Sequence, residues 1–162
     1  MIRAYVGLGA NLGDAAAAFR AAVAAIDALP GTDLVAVSRV YRSAPWGRTD
    51  QPAFLNAAVA LETTLAAGDL LRSLHAIERA AGRDRSLDPT RWGPRVLDLD
   101  LLLFGDLAID TPGLQVPHPY LRQRAFALVP LFDVAPDLVF ADGTPLRAAV
   151  EAIASDGIEA VP

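Results

Sequence analysis

Apolar residues in this chain recur with strand-like alternation, then with helical spacing, in the order β-α-β-β-α-β over the first ~105 residues. That order and two amphipathic helical stretches predict an α+β fold of the ferredoxin-like plait type. Such a fold has a mainly antiparallel sheet with helices packed on one face, here with long loops between strands. A length of 162 residues fits a single domain over 1–162 with a real core, and the 53% hydrophobic fraction is globular.

Taken in order, Ile2–Leu8 reads as a strand that runs into a Gly-Ala-Asn-Leu-Gly-Asp turn over 9–14. Asp14 is placed to cap a helix over Ala15–Leu29, whose apolar stripe is Phe19, Val23, Ile26 and Leu29, and Pro30-Gly31 ends it. Leu34–Arg42 alternates and is β-branched, a second strand. Ser43–Pro52 carries Pro45, Gly47 and Pro52 and must be a loop. Phe54–Thr63 is the third strand, and a helix over Asp69–Ala81 presents Leu70, Leu74, Ile77 and Ala81 on one face before Gly82. Arg83–Arg95 is polar, Arg-rich and broken by Pro89, Gly93 and Pro94, the pattern of a lid or binding loop. Val96–Phe104 is an apolar strand interrupted by Asp98 and Asp100. A small hairpin or meander over Asp106–Gln115, a helix within Pro119–Val129, a short Leu138–Phe140 segment, an Asp142-Gly143 turn and a helix near Leu146–Ala154 complete the chain.

Composition excludes several chemistries. With no Cys there is no thiol nucleophile, disulfide or thiolate metal site, and with no Lys there is no Schiff base or P-loop lysine. Two His, His75 and His118, cannot build a three-His zinc site. A phosphate site must therefore come from Arg, backbone amides and metal. The net charge of −5 argues against nonspecific nucleic-acid binding. No signal peptide is visible and no apolar stretch approaches the ~18 residues of a membrane span, so the expectation is a cytoplasmic protein without membrane or nucleic-acid partners, and a monomer. Against the acidic whole, Arg72, Arg79, Arg83, Arg85, Arg91 and Arg95 crowd one segment.

Asp98 and Asp100 share one strand face, roughly 7 Å apart along the chain. Carboxylates where Leu is expected are costly unless paired or metal-bound. At this spacing they can hold two Mg²⁺ ~3.5–4 Å apart, a geometry used in phosphoryl transfer; the alternative is a solvated strand face. Arg83, Arg85, Arg91 and Arg95 just before them can fork onto phosphate oxygens, or pair with Asp84, Asp88 and Glu78. Phe54 and Asn56 also share a face, and a ring two residues from an amide suits a flat heterocycle such as a pterin; a Phe at such a position is more often simply core. Gly7-x-Gly9-x-x-x-Gly13 lacks the dinucleotide spacing and reads as backbone packing. His75 and His118 read by themselves as surface or satisfied histidines.

The chain carries Tyr5-Val-Gly-Leu-Gly-Ala-Asn-Leu-Gly, Phe54-Leu-Asn-Ala-Ala-Val, Arg91-Trp-Gly-Pro-Arg-Val-Leu-Asp-Leu-Asp-Leu-Leu-Leu-Phe-Gly, Val116-Pro-His-Pro and Arg124-Ala-Phe-Ala-Leu-Val-Pro-Leu, in that order. Over roughly residues 2–150 it resembles the 6-hydroxymethyl-7,8-dihydropterin pyrophosphokinases of folate biosynthesis. The resemblance implies transfer of the β,γ-pyrophosphoryl unit of ATP to the pterin's hydroxymethyl group with release of AMP, assisted by two magnesium ions. It places Asp98 and Asp100 as metal ligands, and Arg83 and Arg95 as catalytic lid arginines on the phosphates. Phe54 and Phe126 match the aromatic pair around the pterin, Asn56 the amide reading its edge, and Ser43, Ala44, Trp46 and Trp92 neighbours of the ring. For ATP it implies His75, Glu78, Arg85, Arg95, Leu101, Gln115, His118 and Arg124. His75 stands where Gln is common, Gly113 where some members have Arg, and Phe54 where Tyr is found. The Ser86–Thr90 segment is about two residues longer than in the best-known members and lacks a lid lysine. Two rival readings are a non-catalytic ferredoxin-like module that binds a small heterocycle, and a Mg²⁺-dependent phosphohydrolase.

Overall fold

The structure, a computed structural model, describes residues 1–11, 13–43, 52–82, 96–153 and 157–161. Strand β1 (Ile2–Ala10) leads into α1 (Ala15–Asp27), which Asp14 caps by accepting the Ala17 N–H at 3.0 Å. Then follow β2 (Thr32–Val37), β3 (Tyr41–Ser43), β4 (Phe54–Thr63), α2 (Ala67–Ala80) and β5 (Asp98–Phe104). The hairpin β6 (Ile109–Thr111) and β7 (Leu114–Val116), a 3₁₀ turn at Leu121–Gln123, α3 (Ala125–Val134), α4 (Leu146–Ala152) and β8 (Glu159–Ala160) finish the described order. The main sheet runs β5-β1-β4-β3-β8, with β2 also paired to β4, and every pairing is antiparallel.

The expected strand over Leu34–Arg42 is two strands lying end to end along β4. Ser38 makes the break. Its Oγ accepts the Ala58 N–H at 2.8 Å and donates to the Arg39 carbonyl at 2.6 Å, so a side chain replaces a ladder bond. The helix expected within Pro119–Val129 instead starts at Ala125 and runs through Pro130. Arg124 is extended at φ −121° and ψ 103°, separating the 3₁₀ turn from the helix. A proline inside a helix costs about 3 kcal/mol, but the flanking Leu128 and Leu131 are fully buried, and that burial offsets it.

Helices cover both faces of the sheet, not one. α1 and α2 pack on the face that carries Ala4, Val6, Leu8, Val59, Leu61 and Leu99. α3 and α4 pack on the opposite face, against Tyr5, Ala60, Leu102 and Leu103. The register explains the adjacent pair: Tyr5 pairs with Leu103 but Val6 with Leu101, a bulge that leaves Leu102 unpaired and turns it toward the second core. The first core alone accounts for the β-α-β-β-α-β order; the second is built by the last third of the chain.

Candidate active site

Three neighbouring strands build the centre of the site. Asp98 pairs across β1 with Gly9, and Gly9 pairs with Asn56 on β4; in the next row Asp100, Gly7 and Ala58 are in register. These residues alternate in phase with Tyr5 and Ala60, so Asp98, Asp100 and Asn56 emerge on the α3 side of the sheet. With strands ~4.8 Å apart, Asp98 and Asn56 stand roughly 10 Å apart with a bare glycine between them. A methyl group on Gly9 would lie 3.8 Å from Asn56 Oδ1, and one on Gly7 would lie 3.4 Å from the Leu102 side chain. Gly9 keeps open a floor between acid and amide, while Gly7 makes room for the Leu102 side chain.

Asn56 is 3% exposed, and its Nδ2 donates to Ser43 Oγ at 2.7 Å. That bond sets the amide's orientation and leaves Oδ1 on the Gly9 side. Phe54, paired with Ser43, follows on the same face of β4 and is half-buried. Phe126 sits in the first turn of α3, the helix packed on this face, with the Arg124 guanidinium 5.4 Å from its ring and 4.9 Å from that of Tyr120.

On the other side of Asp100, past the outer edge of β5, lies a cleft of about 580 Å³, a size that holds a small-molecule substrate. His75, Asp100, Leu101, Gln115 and His118 all line it. His118 is held by its backbone N–H, which donates to the Leu102 carbonyl at 2.9 Å, and its Nδ1 accepts the Tyr120 N–H at 3.2 Å. In the neutral ring the proton is therefore on Nε2, which faces Asp100 Oδ1 at 3.9 Å. Gln115 and Asp110 pair across the β6–β7 hairpin, with Gln115 Nε2 donating to Asp110 Oδ1 at 3.0 Å. Glu78 does not open into this space: it is 1% exposed, and its Oε2 accepts the Leu99 N–H at 2.7 Å.

Ser43, Phe54, Asn56, Asp98 and Asp100 are thus brought together along one sheet face, and His75, Leu101, Gln115 and His118 along the adjoining cleft. Ala44, Trp46, Arg83, Arg85, Trp92 and Arg95 lie outside the described residues. Gly7 packs closely against the Leu102 side chain, in line with the packing reading of this glycine pair, while Gly9 also leaves space beside Asn56. Asp110 in the cleft carried no sequence signal of its own, since only the hairpin turns it toward Asp100's side.

Two carboxylates on one strand face offer oxygen donors to a cation here. Among the described residues no group of three or more acidic or His side chains could hold a metal unaided. Asp98 and Asp100 supply two hard oxygen groups beside an open cleft. That suits a magnesium ion, which binds one or two carboxylates and completes its shell with water and substrate phosphate.

The profile of the 7,8-dihydro-6-hydroxymethylpterin-pyrophosphokinase (HPPK) family matches residues 5–136. Proteins named 2-amino-4-hydroxy-6-hydroxymethyldihydropteridine pyrophosphokinase align with nearly the whole chain. The one from Pseudomonas aeruginosa is 51% identical over 99% of this chain and 97% of its own length. The one from Methylorubrum extorquens is 48% identical over 99% of both. Among solved structures, Plasmodium falciparum HPPK-DHPS superposes with a TM-score of 0.75 at 15% identity; the match covers 93% of this chain and 44% of that longer one, and speaks for the fold. On the family match and on relatives of this identity and coverage, the chain belongs to the 7,8-dihydro-6-hydroxymethylpterin-pyrophosphokinase family.

Proposed function

We propose that the chain transfers pyrophosphate from ATP to 6-hydroxymethyl-7,8-dihydropterin, giving the pterin diphosphate and AMP, a step of folate biosynthesis. The observation that carries this reading is the position of Asp98 and Asp100: between a nucleotide-sized cleft on one side and the Asn56–Phe54 face on the other. In this reading the pterin lies over the Gly9 floor with Asn56 on its polar edge and Phe54 and Phe126 on its faces. Neutral amides recognise a ring of alternating donors and acceptors, because each Asn offers both. ATP occupies the cleft, with His75, Leu101 and Gln115 toward the nucleoside and His118 toward the phosphates.

The pterin hydroxyl oxygen bonds to the β-phosphorus as the bond from that phosphorus to the bridging oxygen of the α-phosphate breaks. AMP leaves and the hydroxyl proton is lost. Asp98 and Asp100 would hold Mg²⁺, which when bound neutralises phosphate charge and ties the nucleotide to the strand. His118, with Nε2–H turned to Asp100, donates to a phosphate oxygen at that end of the cleft. Arg83 and Arg95 belong to the same reading as phosphate-binding lid residues. Phosphoryl transfer of this kind needs positioning and charge neutralisation more than a strong base, and the site supplies those.

The test is incubation with ATP, Mg²⁺ and the hydroxymethyl pterin, with nucleotide products separated chromatographically. AMP formed in equal amount to pterin diphosphate is the expected result. ADP with inorganic phosphate would make the protein a phosphohydrolase, and pterin binding without any nucleotide turnover would make it a sensor.

A further inference from the structure

We infer that Glu78 is a positioning residue, which holds the backbone of the Asp98–Asp100 segment from the outer edge of β5, and is not a nucleotide ligand. The inference rests on the reading of Asp98 and Asp100 as metal ligands and adds a residue that acts through them. Leu70, Leu74 and Glu78 follow one another at intervals of four on the buried face of α2, so a carboxylate stands where a third leucine would complete the stripe. A buried carboxylate is costly unless it is hydrogen-bonded. Here its Oε2 takes the Leu99 amide at 2.7 Å, a charge-assisted bond of normal length.

The choice of amide is informative. Among the described residues β5 is the terminal strand of the sheet, with β1 on one side and no described strand on the other. Antiparallel pairing alternates, so Asp98 and Asp100 face Gly9 and Gly7 of β1 while the Leu99 N–H between them points off the edge. An edge amide normally meets water, but Leu99 is fully buried beneath α2. Glu78 therefore takes the place of a missing strand at that one residue. The two acids are held from the β1 side and the residue between them from the α2 side. Three residues farther along, the His118 N–H performs the equivalent service for the Leu102 carbonyl. The twist of residues 98–100 sets how far the two carboxylates diverge, and so whether both reach the same cation pair.

Groups that orient metal ligands without touching the metal typically change metal affinity or activity by about 10–100-fold when removed. The full-length protein is compared with Glu78→Ala and Glu78→Gln, the latter keeping an acceptor oxygen and losing the charge. Three quantities are read: Leu99 amide exchange in metal-free protein, the Mg²⁺ concentration for half-maximal activity, and KM for ATP at saturating Mg²⁺. For Glu78→Ala, exchange at Leu99 should speed up and the Mg²⁺ requirement should rise about tenfold or more, while KM for ATP moves little. Glu78→Gln should restore Leu99 protection and most of the Mg²⁺ affinity.

A raised KM for ATP with Leu99 exchange and Mg²⁺ requirement unchanged would overturn the inference and make Glu78 a nucleotide contact. Faster Leu99 exchange with an unchanged Mg²⁺ requirement would also overturn it, leaving a purely structural strut. Should Glu78→Ala fail to fold, Glu78→Gln decides by the same criteria: near-native values support the inference, and an isolated rise in KM for ATP overturns it. Asp98→Asn, run in parallel, separates the two levels. If it leaves the Mg²⁺ requirement unchanged, the metal reading itself has failed.

Discussion

Asp98 and Asp100 illustrate how much two side chains can ask of a strand. Each replaces an apolar residue in Leu97–Leu103, and each is only partly exposed on β5. Asp98→Asn or Asp100→Asn keeps the shape and removes the charge, so the sheet should persist. Loss of such electrostatic stabilisation costs ~3–4 kcal/mol, or about 10²–10³ in kcat. Steady-state kinetics at saturating Mg²⁺, with melting followed by circular dichroism, checks both halves; near-normal kcat in either variant would remove the carboxylates from the chemistry. Asn56 should instead govern pterin binding. Its amide is already oriented by Ser43 before any ligand arrives, so Asn56→Ala strands both the ring edge and the Ser43 hydroxyl. A pterin left without those partners should bind more weakly by about 1–3 kcal/mol, measurable by fluorescence titration. Unchanged pterin affinity would place the heterocycle elsewhere.

At the level of whole elements, β1 is unusual for a central strand in carrying two glycines on one face. Glycine in a strand interior weakens it, so the open floor is bought with strand stability. Gly9→Val should therefore leave the melting temperature unchanged or higher, because a β-branched residue suits a strand, while filling the space beside Asn56 Oδ1. Pterin affinity should fall at least tenfold, since a ring that loses its floor loses its stacking geometry. Retained affinity would show that the floor is not occupied. The turn before α4 has a different sensitivity, to acid. Arg122 Nη1 lies 2.7 Å from Asp142 Oδ2, and the Thr144 N–H donates to Oδ1 at 3.0 Å. The Arg122 bond chiefly, and Thr144 with it, lowers the Asp142 carboxyl from its ordinary 3.8 to about 2. A carboxyl depressed on folding stabilises the fold above its unfolded value and loses that contribution as pH falls through the folded one. The melting-temperature gap between the native chain and Asp142→Asn should thus be present at neutral pH and close between about pH 4 and pH 2. A gap independent of pH would assign the effect to something other than this ion pair.

The molecule as a whole is a sheet with two cores. In the proposed reading the second core matters for the site because α3 carries Phe126; the far end of that helix is tied to the sheet where Asp133 Oδ2 accepts the Tyr41 hydroxyl at 2.7 Å and the Arg39 N–H at 3.1 Å. Leu128→Ala, at a fully buried position between those ends, should cost about 2–5 kcal/mol in urea unfolding. Pterin affinity should weaken as well, since α3 then sets Phe126 less firmly; a stability loss with unaltered pterin affinity would detach α3 from the site. Much of this architecture was readable beforehand. Strand and helix periods are local properties, so β1, α1, β4, α2 and β5 stand where alternation and helical spacing put them, and Asp98 with Asp100, or Phe54 with Asn56, share a face by strand geometry alone. The motifs further carried the resemblance to a family. The split at Ser38, the helix continuing through Pro130 and the second helical layer were not readable, because each depends on a partner distant in sequence: Ala58 for Ser38, β4 for Leu128 and Leu131. Glu78 shows the same limit most sharply. In sequence it is a charged residue just before an Arg-rich segment; only folding brings it to Leu99, whose buried amide lies on an edge that no other described strand covers.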